Sequence, residues 1–422
     1  MRFVSAVICS LAALLLVLLP VASASTLGGS ATDYLSEYTH TKSHAIIGSP
    51  DGDLSDYNVR FIVHRGSGTD NDMNVYLNGY SLRWPDDIRF TDDSNDSLSF
   101  WVESSDADTA SIWVKVHEIP AYPAVATIKI FYGSASAVSA SDGEGTWEFF
   151  DDFSSLDDSR WSTIHGSPSV SDGVITCQAI GSGDKARTSV ETADDVSFDG
   201  SRVLAKVKTA HWNSTDYTEI FAAADADDRG LEADFSNSSE GSRGRAYINW
   251  IDGSDMSYQD IRGWSAGTWH ILDAERLGDQ IRWQVDYKNQ VNCSQNYWTD
   301  PGVISFNASH DGAEISVDWV AVGLVTANEP AHGVWWSGDA ESTNQDAQTH
   351  SRAASPKPIS SSQPSPTSGQ QSQGSQSGSG SLSLDGVDMP TLCCMSGLVV
   401  AVFVALLVLV ALMAMVVRRL FR

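Results

Sequence analysis

Basic residues are scarce in this chain of 422 residues, which has 26 Lys and Arg against 54 Asp and Glu and a formal net charge of -28. Nucleic-acid binding needs a positively charged surface, so this balance excludes nucleic acid as a partner. It also excludes docking on anionic lipid headgroups. The acids fit a hydrated external surface on which a few of them could bind cations.

Cysteine is also rare, with five in the chain, and no C-x-x-C pair or zinc-type spacing occurs. We expect Cys9 to leave with a signal peptide. Cys177 and Cys293 could form a disulfide in an oxidising compartment, or they could remain two buried thiols. Cys393 and Cys394 could carry acyl chains or link two chains.

Helical periodicity of useful length is absent before residue 396, and no nucleophile elbow or glycine-rich phosphate loop is found. The chain therefore shows neither a common hydrolase motif nor a nucleotide-binding motif.

Two apolar runs predict the location of the chain. Residues 396–417 would span about 30 Å as a helix, which matches a bilayer core. The basic residues 418–422 follow at once and predict a cytoplasmic tail. Residues 1–24 have a basic start, an apolar centre and a small-residue cleavage site, which is typical of a signal peptide. These features predict a single-pass protein of the cell membrane with an extracellular ectodomain.

Strand-like runs and turn clusters divide the remainder. Short runs rich in Val, Ile, Phe and Trp alternate with Gly, Asp, Asn and Ser. This pattern predicts an all-β protein with two tandem, jelly-roll-like β-sandwiches. A Ser, Gln, Gly and Pro-rich segment cannot bury enough apolar surface to fold, so we expect a disordered stalk. The predicted segments are a leader (25–55), a first sandwich (56–145), a second sandwich (146–338) and the stalk (339–392).

Four runs in the first predicted sandwich carry a family resemblance. They are DIRFTD at 87–92, FWVE at 100–103, IWVKVHEIP at 112–120 and IFYG at 130–133. Their order and spacing resemble the domain of unknown function 2341 family, over about residues 57–140. The resemblance implies a β-domain on a bacterial or archaeal surface protein, and it implies no established activity.

The second predicted sandwich resembles the concanavalin A/laminin-G class at its two ends. FFDDF at 149–153 and VDWVAV at 317–322 resemble the first and last strands of that class. Such terminal strands often lie close together, so Asp152 and Asp318 could hold a structural Ca²⁺ ion. The alternative is that both are solvated acids at strand edges.

A catalytic strand is incomplete in this sequence. Laminarinase-type glycoside hydrolases of the same class use Glu-x-Asp-x-x-Glu on one strand. Here the nearest match has Glu232 and Asp234, but Asn237 stands in place of the third acid. Loss of a general acid/base costs at least about a hundredfold in rate. We therefore predict a protein that is not an enzyme.

Tryptophan is abundant, with 14 in the chain. Indole rings stack on sugar rings, but they more commonly pack in cores. Those inside strand runs are assigned to cores: Trp101, Trp113, Trp269, Trp283 and Trp319. Those in or near turns are predicted to be exposed for ligand binding: Trp212, Trp250, Trp264 and Trp298.

Five N-x-[ST] sequons fit an exported protein. They begin at Asn95, Asn213, Asn237, Asn292 and Asn307. Together these features predict a non-enzymatic cell-surface binding or adhesion protein that recognises glycan or an envelope partner. A degenerate carbohydrate-active enzyme and a structural envelope component are the alternatives.

Overall fold

The computed structural model describes residues 35–181, 186–210, 217–224, 230–236, 243–249, 258–261, 263–294, 301–309 and 312–337. These residues are almost entirely strands and turns, as predicted, with a 3-10 helix, Leu35–Glu37, and one short α-helix, Gly143–Thr146 (α1). None of the helices in these ranges is long and apolar enough to cross a membrane. The predicted signal peptide, stalk and membrane span lie outside the described residues.

The described residues form 24 strands, which are numbered in chain order. The first eight are His40–Ile47 (β1), Leu54–His64 (β2), Asn74–Tyr76 (β3), Arg89–Asp92 (β4), Ser97–Leu98 (β5), Phe100–Ser105 (β6), Thr109–Ile119 (β7) and Val125–Tyr132 (β8). The next eight are Phe149–Asp151 (β9), Trp161–His165 (β10), Ser169–Ser171 (β11), Val174–Gln178 (β12), Arg187–Thr192 (β13), Ser201–Ala210 (β14), Tyr217–Ala224 (β15) and Gly230–Ser236 (β16). The last eight are Arg243–Asn249 (β17), Tyr258–Ile261 (β18), His270–Leu277 (β19), Gln280–Val285 (β20), Lys288–Ser294 (β21), Val303–Ser309 (β22), Glu314–Leu324 (β23) and Ala331–Ser337 (β24).

The first sandwich has a five-stranded sheet and a four-stranded sheet. Sheet A has the order β24-β1-β8-β4-β5, and sheet B has the order β3-β2-β7-β6. Their facing sides enclose a core that contains Phe61, Phe90 and Ile112. Pairing is antiparallel except between β2 and β3. Alternate residues of β2 enter this core, which is the period-two pattern that the sequence shows.

The second sandwich is larger. Sheet C has the order β11-β12-β23-β14-β19-β20-β21, with β9 also paired to β23, and sheet D has the order β10-β13-β22-β15-β16-β17-β18. Between them lies a core that includes Trp161, Trp283 and Phe306. Sheet C buries side chains on both of its faces.

Sheets B and C pack face to face, so four sheets stack in the order A, B, C and D. On β14, Val203 enters the core of the second sandwich, whereas its neighbour Leu204 joins a separate cluster. On β7, Ile112 and Trp113 divide in the same way. Strands buried on both faces lose the alternation of a half-exposed sheet. We call this cluster the interface core; it contains Trp101, Trp113, Trp147, Phe150, Leu204, Trp319 and Ala321.

Gly323 on β23 permits the close approach of the two sandwiches. A Cβ atom at this position would lie 2.6 Å from Oδ1 of Asn58 and 2.7 Å from the ring of Trp147. Asn58 is buried and donates from Nδ2 to the carbonyl of Thr146 at 2.8 Å. Neither neighbour can move freely, so a side chain at position 323 would force the sheets apart.

The structure corrects two predicted boundaries. The predicted leader contains β1, which pairs with β8 on one side and with β24 on the other. The predicted second sandwich ends in β24, yet β24 belongs to sheet A of the first. The first sandwich is thus discontinuous in sequence. Pairing between Lys42 and Ser337 joins residues almost 300 positions apart, and local strand periodicity carries no information about such a partner.

The predicted disulfide between Cys177 and Cys293 is wrong. Cys177 is a free, buried cysteine, and burial raises the pKa of its thiol to about 12. It lies in β12, whereas Cys293 lies in β21, and four strands of sheet C separate them. At about 4.8 Å per strand the gap is roughly 24 Å, whereas a disulfide needs a Cα separation below about 7 Å.

Candidate functional site

Strand β16 carries the candidate catalytic acids and lies inside sheet D. Glu232 is paired with Phe221 on β15 and with Tyr247 on β17. Ala233 and Phe235 are buried in the sandwich core. Positions 232 and 234 therefore belong to the other face of the strand. Asn237 and the side chains of the two acids lie outside the described part of the structure.

One of the four tryptophans predicted to bind ligand is a core residue instead. Trp264 is 5% exposed, its ring stacks on Phe235 with centroids 4.0 Å apart, and its Nε1 donates to Oγ1 of Thr209 at 3.2 Å. The turn before β19 folds this indole over the core, so the prediction of an exposed platform is wrong for Trp264. Trp212, Trp250 and Trp298 lie outside the described residues.

The strand tryptophans occupy three different environments. Trp283 is in the second core, as predicted. Trp101, Trp113 and Trp319 are buried too, but they form the interface core between the sandwiches. Trp269 is half-buried, and the ammonium groups of two lysines lie over its ring. The distances to the ring centroid are 5.5 Å for Lys206 and 4.7 Å for Lys208, which is cation–π geometry.

The two acids proposed for calcium have other partners. Asp318 Oδ2 lies 2.5 Å from Nζ of Lys206. Asp152 is exposed, and its Oδ1 accepts a hydrogen bond from the backbone of Ser154 at 3.1 Å. Among the residues that the structure describes, no group of three or more His, Cys, Asp or Glu could hold a metal ion. The geometry gives the calcium prediction no support.

Asp152 lines an acidic cleft of about 410 Å³ beside β9. The acids around it have structural tasks. Asp142 caps α1 by accepting from the amide of Gly145 at 2.9 Å. Asp151 is buried and accepts from Nε1 of Trp161 at 2.8 Å. Hydrogen bonds from Ser159 lower the pKa of Asp157.

Arg160 closes the same cleft. Its Nη1 lies 3.1 Å from Glu144 and its Nε lies 3.8 Å from Asp151. The guanidinium also donates to the carbonyl of Phe150. Both acids therefore lie beside the arginine that forms this wall of the cleft.

A group of connected polar side chains lies at the interface between the sandwiches. Glu103 on β6 is buried, and its Oε2 accepts from Nε1 of Trp113 at 2.7 Å and from the hydroxyl of Tyr287 at 2.5 Å. Arg60 lies 3.6 Å from the same oxygen, and its guanidinium lies 3.6 Å above the ring of Tyr287. The hydrogen bond from Tyr287 to Glu103 and the cation–π contact between Arg60 and Tyr287 thus join the first sandwich to the second.

The hairpin between β20 and β21 presents Tyr287 to this interface. Its two turn residues, Asp286 and Tyr287, have φ values of 53° and 56°, as a type I′ turn requires. Asn and Gly are the usual residues there, and a tyrosine in this region is strained. The carboxylate of Asp286 accepts from the amide of Ile271 at 3.0 Å and lies 2.9 Å from Nδ1 of His270.

A second group of interface charges surrounds Arg202 on β14. Its guanidinium pairs with Glu275, and it lies 3.6 Å from Asp273 and from Glu329. Arg282 pairs with Glu275 from the other side. Two arginines thus face the buried carboxylates of Asp273 and Glu275 and the half-buried carboxylate of Glu329.

Burial decides the protonation of this group. Desolvation raises the pKa of Asp273 to about 7, against the opposing attraction of Arg202. It also raises the pKa of Glu329. The hydroxyl of Tyr57 donates to Glu329, which lies in the segment that returns from β23 to β24. Asp273 and Glu275 contact arginines of their own sheet C, and Glu329 accepts from Tyr57 of sheet B, so we infer a structural role for these acids.

The predicted glycosylation positions differ in access. Asn292 is exposed, and Asn95 is half-buried in a turn, where Lys129 donates to its side chain at 3.1 Å. Asn307 is 3% exposed, so its side chain has no room for a glycan in the folded chain. Asn213 and Asn237 lie outside the described residues.

Sequence reasoning missed the interface network. Its signal was present in β19, where Asp273 and Glu275 lie inside an apolar strand run on alternate positions. Two acids on one face of a strand would ordinarily predict that this face is exposed to solvent. They are buried here because the first sandwich, and not water, covers that face.

Residues 84–164 match the family described as domain of unknown function DUF2341. The predicted resemblance covered about residues 57–140, so the match of a segment to this family is confirmed, with different boundaries. The matched segment begins before β4, crosses the interface residues Trp101, Trp113 and Trp147, and ends in β10. It therefore contains parts of both sandwiches.

Among solved structures, the chain has distant similarity to several carbohydrate-active enzymes. One is described with endo-acting O-glycanases that members of the human gut microbiota express to initiate mucin breakdown. It is 15% identical, its TM-score is 0.37, and the match covers 43% of this chain and 100% of that one. Another is a prokaryotic β-1,3-1,4-glucanase (lichenase) from a mouse hindgut metagenome, with 14% identity, a TM-score of 0.36 and coverage of 42% and 99%.

A third is the Bacillus licheniformis β-glucanase, with 12% identity, a TM-score of 0.36 and coverage of 42% and 97%. Similarity at this level assigns neither a fold nor an activity to this chain. Comparison with curated proteins gives no match.

Proposed function

We propose that this chain is a non-enzymatic surface protein that binds glycan through a rigid pair of β-sandwiches. The observation that carries the proposal is the interface itself. The interface core, the guanidinium of Arg202 over the ring of Trp113 and the hydrogen bond between Tyr287 and Glu103 join the two sandwiches through side chains of both. Such a body suits the presentation of exterior binding surfaces at a fixed spacing, because a rigid protein loses little conformational freedom on binding.

The charge and the ends of the chain support an external location for this body. A net charge of -28 keeps a protein hydrated and soluble at a surface. Residues 1–24 would direct export, residues 396–417 would anchor the chain, and residues 339–392 would hold the sandwiches away from the bilayer. An envelope protein is the other partner class that such an arrangement would serve.

A glycan array tests the proposal. The full chain should be purified in a detergent without a sugar headgroup, since a maltoside would compete for the site. We expect concentration-dependent binding to a subset of immobilised glycans. An array that stays blank, both with calcium and with a chelator, would refute glycan binding and leave an envelope partner to be sought.

A further inference from the structure

A tier of stacked aromatic rings runs from the core to solvent at one end of sheet A. Tyr132 is buried at the end of β8. His40, its partner on β1, stacks on it with centroids 5.4 Å apart. Tyr80 stacks on His40 at 4.2 Å, with ring planes 15° apart. Tyr80 is 51% exposed, so one face of its ring is covered by His40 and the rest is open to solvent.

A buried carboxylate fixes the loop that carries Tyr80. Asp87 is fully buried. Its Oδ2 accepts from the amides of Leu82 at 2.7 Å and Gly133 at 3.0 Å, and its Oδ1 accepts from the hydroxyl of Ser81 at 2.5 Å. This ties the loop between β3 and β4 to the end of β8. A ring held in this way is already ordered before a ligand arrives, which favours affinity.

Polar groups surround the same loop junction. Thr39 donates from Oγ1 to the carbonyl of Gly133 at 3.2 Å and bonds Nδ1 of His40 at 2.8 Å. Glu37 accepts from the hydroxyls of Ser134 and Ser136. Gly133 allows this crowding, because its φ is +91° and a Cβ there would lie 2.4 Å from Thr39 Oγ1. An exposed carboxylate with hydroxyls is the donor and acceptor set that sugar hydroxyls match.

Two further apolar side chains of the first sandwich are exposed. Leu82 is 59% exposed and Val138 is 69% exposed. The guanidinium of Arg89, on β4, is occupied. It donates to the carbonyls of Asp86 at 2.9 Å, Ile88 at 2.7 Å and Val138 at 2.7 Å. This arginine is therefore poorly placed to bind an anionic group, and the net charge of -28 repels one.

We propose that Tyr80, with its rim of Glu37, Thr39 and Ser136, is a binding site for a neutral sugar ring. The site lies on the first sandwich, and its assignment rests on the proposed function. The apolar face of a hexose would stack on the open face of Tyr80, and its hydroxyl groups would bond the rim. An acidic sugar would be repelled by the carboxylate of Glu37. Among the described residues named here, no free cation would offset that repulsion.

The test compares variants of the full chain, in a detergent without a sugar headgroup, on an array of neutral and acidic glycans. Tyr80→Leu keeps apolar bulk but removes the aromatic face, so we expect roughly tenfold weaker binding to neutral glycans. Tyr80→Phe should bind as the wild type does. Tyr122→Ala is the matched control, because Tyr122 is 45% exposed on the loop between β7 and β8, and it should change nothing.

Each outcome supports or refutes the Tyr80 site. If the wild type binds neutral glycans and Tyr80→Leu binds them equally well, this site is wrong while the proposed function stands. If the wild type binds no glycan, the proposed function fails first. A preference for acidic glycans would overturn the ligand class. A change in mass on sedimentation of Tyr80→Leu, with glycan binding unchanged, would make the face a contact between copies of the chain. Near-ultraviolet circular dichroism verifies that each variant is folded.

Discussion

Leu204→Ala should weaken both sandwiches, although the residue belongs to only one of them. Leu204 is fully buried on β14 and faces the interface core. Removal of three carbon atoms costs roughly 2.4 kcal/mol in transfer free energy. The cavity adds to this, because the neighbouring rings of Trp101, Trp113 and Trp319 are themselves buried and can collapse little. We expect a total loss of about 3–5 kcal/mol.

Hydrogen exchange of the full chain can locate this loss. Where amides exchange through cooperative unfolding of the whole body, a loss of about 3 kcal/mol speeds exchange by roughly a hundredfold. We expect faster exchange in β2 and β7 of the first sandwich as well as in β14 of the second. Ile180→Ala is the control, since Ile180 is 78% exposed and its loss should stay within about 0.5 kcal/mol. Faster exchange in the second sandwich alone would refute the coupling of the two.

Four further outcomes are expected. Arg202→Met leaves the buried carboxylates of Asp273 and Glu275 with less compensation and should lower the free energy of unfolding by about 3–5 kcal/mol in urea titrations; an unchanged midpoint would contradict the network. Burial raises the pKa of Asp273 from 3.8 to about 7, so the folded state keeps a proton that the unfolded state releases. The contribution of Asp273 to the free energy of unfolding should therefore decrease as pH rises from about 4 to about 7, and Asp273→Asn should remove that decrease. Burial lowers the pKa of His332 from 6.5 to about 4 beside His44, so stability from this pair is lost as pH falls from about 6.5 to about 4, and His332→Asn should reduce that loss when unfolding is measured at pH 4.5 and 7. Glu232→Gln should leave glycan binding unchanged and release of reducing sugar absent, as in the wild type; turnover in the wild type that the variant lacks would favour an enzyme.

The sequence predicted the strand content and the two sandwiches because their signals are local. The alternation in β2 and the run around Trp283 report which side chains meet a core in the same strand. β1 and β24 were placed in the wrong segments because their pairing is decided by a partner far along the chain. A leader and a closing strand are short and mixed in polarity, so neither shows which sheet it will join.

The candidate site was less predictable than the fold, for a related reason. Trp264 was assigned to a turn, and a turn residue is usually exposed, but this turn covers the open end of a core. Tyr80 and His40 gave no signal, since one lies in a loop and the other in the predicted leader. Their stacking depends on the register of β1 with β8 and on the buried Asp87. Sequence spacing contains neither fact.

Binding without cleavage is the central claim, and a labelled neutral oligosaccharide tests it most directly. The full chain should be incubated with an oligosaccharide selected on the array, and both the bound fraction and the products should be measured after prolonged incubation. The account predicts saturable retention of the intact oligosaccharide. Shortened products, or the absence of retention at any concentration, would contradict it.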